Sequence, residues 1–496
     1  MLSKASFRNI SESFNPVFIK EMRQYFQNRR MLIFMGLLLI AQFICTLFFS
    51  SAMKFDADSD SGVVFFLLII FAGTILSIII CAIGAELRFA EERSDRELNY
   101  AMLTTLSPAS IIWGKLAGAI VMILCIFSML LPFLTAAYFM RGLSAAALLF
   151  TLYIFPVLVL NTLAGIFAGS FGRIWVTVLY FLALLHFAIF SLPAAFAITS
   201  ELMDSTALDP EFWGALLIEY EVAFLIAVLL FLLTLAVVSP PKSNRLLPAK
   251  IYLFALPFLS VLLIAPYYIL FVGASYPPEM FYTLEFLFCA FSVFVLGVIS
   301  LFELPTNSIR VYMKCPRNFI GRFLHFLFSS GFSGSVILTF PIMALPVALI
   351  PLGNITSSNG LDAVFGFLCI LISFMGCVIL SLILSWRTRL PLPAWLWTGI
   401  FLFAGNIFPW IPFVINEGEQ VDSLPVRVVS MVTSQTYCLM ETIDDPEITC
   451  IPAFLTSLII TGVLFLILLP TIFKAFRLHR HPEIEVKSPT KEMLGK

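Results

Sequence analysis

Four polar side chains lie deep within the apolar runs of this chain: Gln42, Asn161, His186 and Asn406. An amide or imidazole at membrane depth can line the path of a polar solute. It can equally bond across helices, the commoner use of such groups, and both readings stand open for all four. The carboxylates are placed differently. Glu219, Glu221 and Glu285 fall near the outer ends of their runs and Glu303 near an inner end. None is expected at the midplane, where a charge costs about 2.5–3.5 kcal/mol even on the mildest scale, so no proton relay is read here. No G-x-x-x-x-G-K-[ST] loop occurs, so the chain lacks the usual cradle for ATP phosphates. No H-E-x-x-H and no paired Cys or His cluster occurs either. His479 and His481 belong to a basic tail. The chain reads as a non-enzyme, with no cofactor and no nucleic-acid partner expected.

The densest polar feature runs from Glu86 to Lys115, ELRFAEERSDRELNYAMLTTLSPASIIWGK, between two long apolar runs. Ser94 and Glu97 form an S-x-x-E capping box, which predicts a helix starting after Ser94. Glu91, Glu92 and Asp95 stand at that start, and Leu98, Ala101, Met102, Thr105 and Leu106 share one side of the helix. Ser107-Pro108 stops it and starts the next one. Trp113 and Lys115 are expected to mark the membrane boundary. A short rigid element of this kind can pass motion from a soluble partner to its flanking spans. An ordinary solvated loop is the equal alternative.

A second polar segment, SFNPVFIKEMRQYFQNRR, precedes the first apolar run. Asn15 followed by Pro16 predicts an N-cap with proline at the first helical position. At about 100° per residue, Phe18, Met22, Tyr25 and Phe26 share one face. Lys20, Arg23, Gln24 and Gln27 share the other. The expectation is an amphipathic helix along the inner leaflet, its cations near anionic headgroups; a plain basic flank that enforces orientation is the simpler alternative.

The elements that must position these groups follow from composition. Hydrophobic residues make up 60% of the 496, charged residues 12%, and the mean hydropathy is +1.01. Soluble proteins carry about 25% charged residues. The chain is therefore expected to be an all-α polytopic membrane protein. A span needs about 20 apolar residues, and twelve candidates follow: 31–53, 63–85, 114–140, 145–170, 174–199, 216–238, 251–273, 283–304, 328–352, 363–385, 395–415 and 451–473. Pro132, Pro341 and Pro346 predict kinks in the third and ninth.

With the N-terminus in the cytoplasm and sides alternating, only Lys54, Arg141 and Arg427 fall outside, leaving 26 of the 29 lysines and arginines inside. Such sorting sets orientation and puts both termini in the cytoplasm. The first apolar run follows about thirty polar residues and reads as an uncleaved anchor rather than a signal peptide. Ser239–Lys250 is a Pro-bearing basic linker. The expected domains are thus a tail over 1–30, six spans over 31–238 with an inner loop at 86–113, the linker 239–250, six spans over 251–473, and a basic tail over 474–496. The two halves share a weak parallel-repeat layout. Most of the nine cysteines fall inside spans; Cys438 and Cys450 share an outer loop and can pair in an oxidising compartment.

Two stretches together resemble the permease subunits of ABC-2 type transporters. One is Asn15-Pro16-Val17, then Lys20-Glu21-Met22-Arg23-Gln24 and Arg29-Arg30. The other is Glu91-Glu92-Arg93, Leu98, Leu103-Thr104-Thr105-Leu106-Ser107-Pro108 and Gly114-Lys115. The similarity covers roughly residues 14–240, with Arg96-Glu97 where the family usually has Gly-Thr. The inner loop of the second half, Arg310 to Arg322, is basic and lacks the acidic start. The resemblance implies an elbow helix bearing Phe18, Lys20, Arg23 and Tyr25. It also implies a coupling helix that docks a separate ATPase through Glu91, Glu92, Arg93, Asp95, Leu98, Met102 and Leu106. It implies an exporter in the inner (plasma) membrane, complete in one chain or working as a homodimer. Two other classes compete: a twelve-span secondary transporter driven by an ion, and a membrane scaffold or lipid-modifying enzyme.

Overall fold

The computed structural model describes residues 15–52, 61–94, 106–139, 151–173, 176–182, 184, 210–240, 244–267, 279–303, 311, 315–316, 318–349, 358–387, 394–407 and 446–480. Among these the regular structure is helical throughout. The chain divides into two compact units, Met1–Ser239 and Pro240–Lys496.

The first unit begins with α1 (Pro16–Gln27) and α2 (Arg29–Ala52). Next, α3 (Ser61–Ser77) passes through a π turn (Ile78–Ile83) into α4 (Gly84–Ser94). Then come α5 (Pro108–Phe139), α6 (Thr151–Gly169) and α7 (Pro210–Val238). The second unit contains α8 (Leu247–Tyr267), α9 (Glu279–Phe302), α10 (Phe319–Phe328), α11 (Phe332–Leu349), α12 (Ser358–Arg387), α13 (Ala394–Ile407) and α14 (Pro446–Arg480).

Among the described residues, seven helical stretches are long and apolar enough to cross a membrane: Met31–Ser51, Phe65–Ser94, Pro108–Phe139, Leu216–Val238, Glu285–Phe302, Leu368–Ser385 and Pro452–Arg477. The pair α10 and α11, bent by 95°, makes an eighth if taken together. These correspond to the runs expected at 31–53, 63–85, 114–140, 216–238, 283–304, 363–385, 451–473 and 328–352. The run at 145–170 contains the shorter apolar helix Ile154–Gly169, and that at 251–273 overlaps Leu247–Leu263, which starts four residues earlier. The run 174–199 lies mostly outside the described residues, and 395–415 is helical through Ile407.

Within the first unit α5 is the central element. Ile112, Leu116, Ala119, Ile123, Ile126, Leu130, Leu134 and Ala137 recur at three- and four-residue steps and are all buried. That periodicity keeps one helical face inward along the whole element. By contrast α2 is nearly all apolar surface, with Ile33, Phe34, Leu37, Ile40, Phe43, Ile44, Leu47 and Phe48 exposed, as suits contact with acyl chains.

Lipid tails are as apolar as leucine, so close packing must replace the hydrophobic drive between spans. The chain supplies it with small residues. A Cβ on Gly165 or Gly169 would collide with the carbonyl oxygens of Ala82 and Glu86. The glycines of α6 thus admit the π turn and α4 at backbone distance. In the second unit Cys369, Ser373 and Gly376 of α12 face Ser457 and Thr461 of α14, with Thr461 Oγ1 donating to the Ile372 carbonyl at 3.1 Å. The sharp break in that unit falls at Ser329–Gly331; Pro341 and Pro346, where the sequence predicts a kink, lie inside α11. Two serines and a glycine hold a helix poorly, and their backbone groups are bonded elsewhere, as shown below.

A charge latch at the end of the second span

The described residues of the two polar motifs meet in one place. Asn15 caps α1: the Val17 N–H donates to its Oδ1 at 3.0 Å, and its Nδ2 reaches the Ser110 carbonyl at 2.5 Å. Ser107 likewise accepts from the Ser110 N–H at 3.2 Å, with Pro108 opening α5. Both helix starts follow the expected cap-then-proline pattern. The caps put α1 across the first turns of α5, where Gly114 and Gly118 remove the obstacle. A Cβ at 114 would stand 2.7 Å from Val17 Cβ and 2.9 Å from the Phe18 nitrogen; one at 118 would stand 3.1 Å from Glu21 Cβ.

That crossing brings Glu21 onto Lys115, Oε1 to Nζ at 2.6 Å. Lys115 also pairs with Glu92 Oε2 at 2.9 Å, and Glu92 Oε1 with Lys20 at 2.8 Å. Arg88 approaches Glu21 Oε2 at 3.5 Å and stacks over the Tyr25 ring, 4.0 Å from its centroid. Lys115 lies 5.0 Å from the Phe89 centroid. Three cations therefore face two carboxylates, joining α1, α4 and α5. The cluster grades from a dry end to a wet one: Glu21 and Lys115 side chains are 3% and 4% exposed, Glu92 16% and Lys20 47%. Burial pushes the Tyr25 phenol well above its usual range, against the pull of Arg88.

On its far side α4 is held by α6 and the segment after it. Thr177 donates to Glu86 Oε1 at 2.6 Å, and Tyr180 donates to the Asn161 carbonyl at 2.9 Å. Gly172, at φ +60°, lies where a Cβ would strike the Arg93 stem at 2.6 Å. The end of the second span is thus gripped on two sides. The latch is built of ion pairs, caps and close backbone approach, which makes it a mechanical joint.

Several expectations change. Ser94 is itself a helical residue of α4: its hydroxyl donates to the Glu91 carbonyl at 2.9 Å, and α4 runs unbroken to it from Gly84. Glu86 to Arg93 contain no helix breaker, so the span continues into its charged end. Glu91, Glu92 and Arg93 accordingly occupy the last turn of α4; Glu91 is exposed and Glu92 turns into the latch. Asp95, Leu98 and Met102, and with them the helix expected after Ser94, lie outside the described residues. Leu106 packs against the cluster around Phe89 and Leu116. Trp113 is exposed as a boundary residue would be, but Lys115 is buried. On α1 the inward face carries Glu21 and Tyr25, while Phe18 is half-buried and Lys20, Arg23 and Phe26 are exposed. The expected division into an apolar and a cationic face therefore fails at Glu21, because α5 offers it a buried lysine.

The pathway candidates are scattered. Gln42 is 1% exposed on α2, its Oε1 lacking a hydrogen-bond partner. Asn161 is half-buried on α6. Asn406 belongs to the second unit, near the end of α13. His186 and Cys438 lie outside the described residues. No group of three metal-binding side chains occurs among the described residues.

The second unit has a joint of its own that no motif in the sequence announces. Lys250 is fully buried, with Nζ 2.8 Å from Glu303, 2.7 Å from the Ser329 carbonyl and 3.0 Å from that of Gly331. Glu303 accepts in turn from the Gly331 N–H and Ser335 Oγ, both at 2.9 Å. Asn244 Oδ1 accepts from the Ser330 N–H at 2.9 Å and from its hydroxyl at 3.0 Å. These bonds account for the 95° turn between α10 and α11. No known protein family, curated protein or solved structure matches the chain.

Proposed function

We propose that this chain is the membrane-spanning permease of an ABC-2 type exporter, with ATP hydrolysed by a separate subunit. The observation that carries the reading is the latch of Lys20, Glu21, Arg88, Glu92 and Lys115. It couples an amphipathic helix to the charged ends of the second and third spans, where a force applied from water would enter the membrane domain. Two features add support: residues of both resembling motifs contribute to that one joint, and the sequence has no phosphate loop of its own. In this proposal the protein has about twelve spans, with both termini cytoplasmic, in the plasma membrane. Nucleotide-driven movement of the partner would push on Glu91 and the residues after Ser94, tilting the second and third spans.

The test is co-purification of the full chain with an ATPase subunit, comparing wild type with Glu91→Lys. Glu91 is exposed, so the substitution leaves the latch intact. Loss of the ATPase from the complex supports the reading. Recovery of no ATPase from wild-type membranes, with transport unchanged by the substitution, sinks it.

One observation favours the runner-up, an ion-driven secondary transporter. Glu285 on α9 is 3% exposed, accepts from Ser260 at 2.8 Å, and has an unpartnered Oε1. It stands about 27 Å along the helix from Glu303 at about 1.5 Å rise per residue, near the outer end of the span. Transport abolished by Glu285→Gln and indifferent to ATP depletion would favour this second reading.

A further inference from the structure

The basic inner loop of the second half contains α10, whose apolar face is used at one end only. Near its C-terminal end Phe326 stacks edge-on against Phe476 with centroids 5.2 Å apart, and Phe328 meets Phe254 at 5.9 Å. Toward its start the side chains stand clear: Phe319 is 73% exposed, Ile320 72%, Phe323 42% and Leu324 47%. At about 100° per residue these four fall within one arc, while Gly321, Arg322 and His325 occupy the opposite side.

We propose that α10 is an interfacial helix, with Phe319, Ile320, Phe323 and Leu324 seated at the headgroup–acyl boundary of an anionic leaflet. Three observations select lipid over a protein groove. The first is direction. The 95° turn sets α10 across the axis of α11, so when α11 stands upright in a bilayer α10 lies along its surface. The bonds of Lys250, Glu303 and Asn244 to Ser329, Ser330 and Gly331 hold that turn. The second is length. Ten residues rise about 15 Å, half of the roughly 30 Å hydrocarbon core, so α10 cannot cross it. The third is charge. From Leu304 to Leu361 the sequence has Arg310, Lys314, Arg317 and Arg322 and no Asp or Glu. Positive residues beside a helix with one apolar side match an anionic headgroup layer. The Arg322 Nε–H donates to the Pro316 carbonyl at 3.1 Å, which ties the basic segment to the polar side of α10.

This inference stands apart from the ATPase reading, because a secondary transporter would use the same surface. The test places a nitroxide at Ile320→Cys, at Phe323→Cys on the same side, and at Arg322→Cys opposite. The full chain, with its other reactive cysteines replaced, is reconstituted in nanodiscs containing phosphatidylglycerol. Power saturation with oxygen and an aqueous nickel chelate reads depth. Labels at 320 and 323 are expected about 5–10 Å below the phosphates, with the label at 322 dominated by the nickel chelate. Equal aqueous exposure at 320 and 322 overturns the proposal. So does a depth of about 15 Å at 320, the bilayer midplane, which would mark a re-entrant half-span. Exchange of phosphatidylglycerol for phosphatidylcholine is expected to raise aqueous collisions at 320 about twofold, because the basic flank loses its counter-surface; an unchanged rate overturns the anionic part.

Discussion

Glu21 Oε1 lies 2.6 Å from Lys115 Nζ across 94 residues of sequence, and neither side chain is more than 4% exposed. Burying two charges is repaid only when both are present; removing one partner from such a pair costs about 3–5 kcal/mol. The neighbours make the two removals unequal. Glu21→Ala leaves Lys115 with Glu92 alone and strips Arg88 of the carboxylate beside it, so three cations face one acid. Lys115→Met leaves Glu21 beside Arg88 and Glu92 beside Lys20. Glu21→Ala should therefore lower the thermal midpoint of the purified chain more than Lys115→Met. The double variant should be less destabilised than the sum of the two. Additive losses would show that the pair is not coupled.

The glycines under α1 give a graded prediction. Gly114→Ala pushes a methyl into Val17 and into the Phe18 backbone nitrogen, which cannot rotate away. Overpacking of this kind costs about 1–3 kcal/mol. For Gly118→Ala the nearest obstacle is the Glu21 Cβ, at 3.1 Å, so its cost should fall at the low end. Hydrogen exchange over residues 16–27 checks this directly: protection should drop clearly for Gly114→Ala and slightly for Gly118→Ala. Equal effects would mean that α1 does not rest on α5 at that register.

Local signals are legible in the sequence and long-range ones are not. Asn15-Pro16 and Ser107-Pro108 declare helix starts through bonds spanning two or three residues, and apolar runs declare the spans by length alone. Lys115 has the look of a boundary cation because its own stretch says nothing of Glu21. Lys250 falls within a linker that reads as solvated for the same reason, although Glu303 and two carbonyls enclose it. Ser94 shows how one local pattern admits two uses: within α4 its hydroxyl bonds back to the Glu91 carbonyl, a bond the capping-box spacing does not announce. The helix α10 hides in a loop because its ten residues fall far short of a span, and its turn depends on partners some eighty residues upstream.

At the wet end of the latch the energetics are different. Lys20 is half exposed, so its pairing with Glu92 should contribute about 0.2–1 kcal/mol at most and weaken as salt is added. Lys20→Gln should leave thermal stability nearly unchanged. Glu92→Gln should cost more, because Lys115 then keeps only one carboxylate. Melting curves of both variants at low and high salt check the order; a larger loss from Lys20→Gln would contradict the burial gradient.

Lys250 predicts a failure of conservative replacement. Its ammonium serves a carboxylate and two carbonyls from a fully buried point. Lys250→Met leaves Glu303 without its cation and should cost about 3–5 kcal/mol. Arginine has a planar fork in place of a compact ammonium, and the two are not interchangeable at enclosed sites. Lys250→Arg should therefore not restore the wild-type midpoint. Full restoration would mean that the site is roomier and wetter than its burial indicates.

The packing of α12 on α14 offers a test free of charge effects. Thr461 Oγ1 donates to the Ile372 carbonyl at 3.1 Å and sits 2.8 Å from where a Cβ on Gly376 would stand. Gly376→Ala must displace that hydroxyl, so it should destabilise by the lost bond plus the strain of a shifted helix. Thr461→Ala alone loses only the interhelical bond, which in membranes averages about 0.6 kcal/mol. The combination should be non-additive in a definite direction: with the hydroxyl gone, the methyl at 376 has space, and the double variant should be more stable than Gly376→Ala alone. Thermal unfolding of the three variants in nanodiscs measures this ordering. A double variant less stable than both singles would show that the contact at Gly376 is set by the helix backbones and not by the Thr461 hydroxyl.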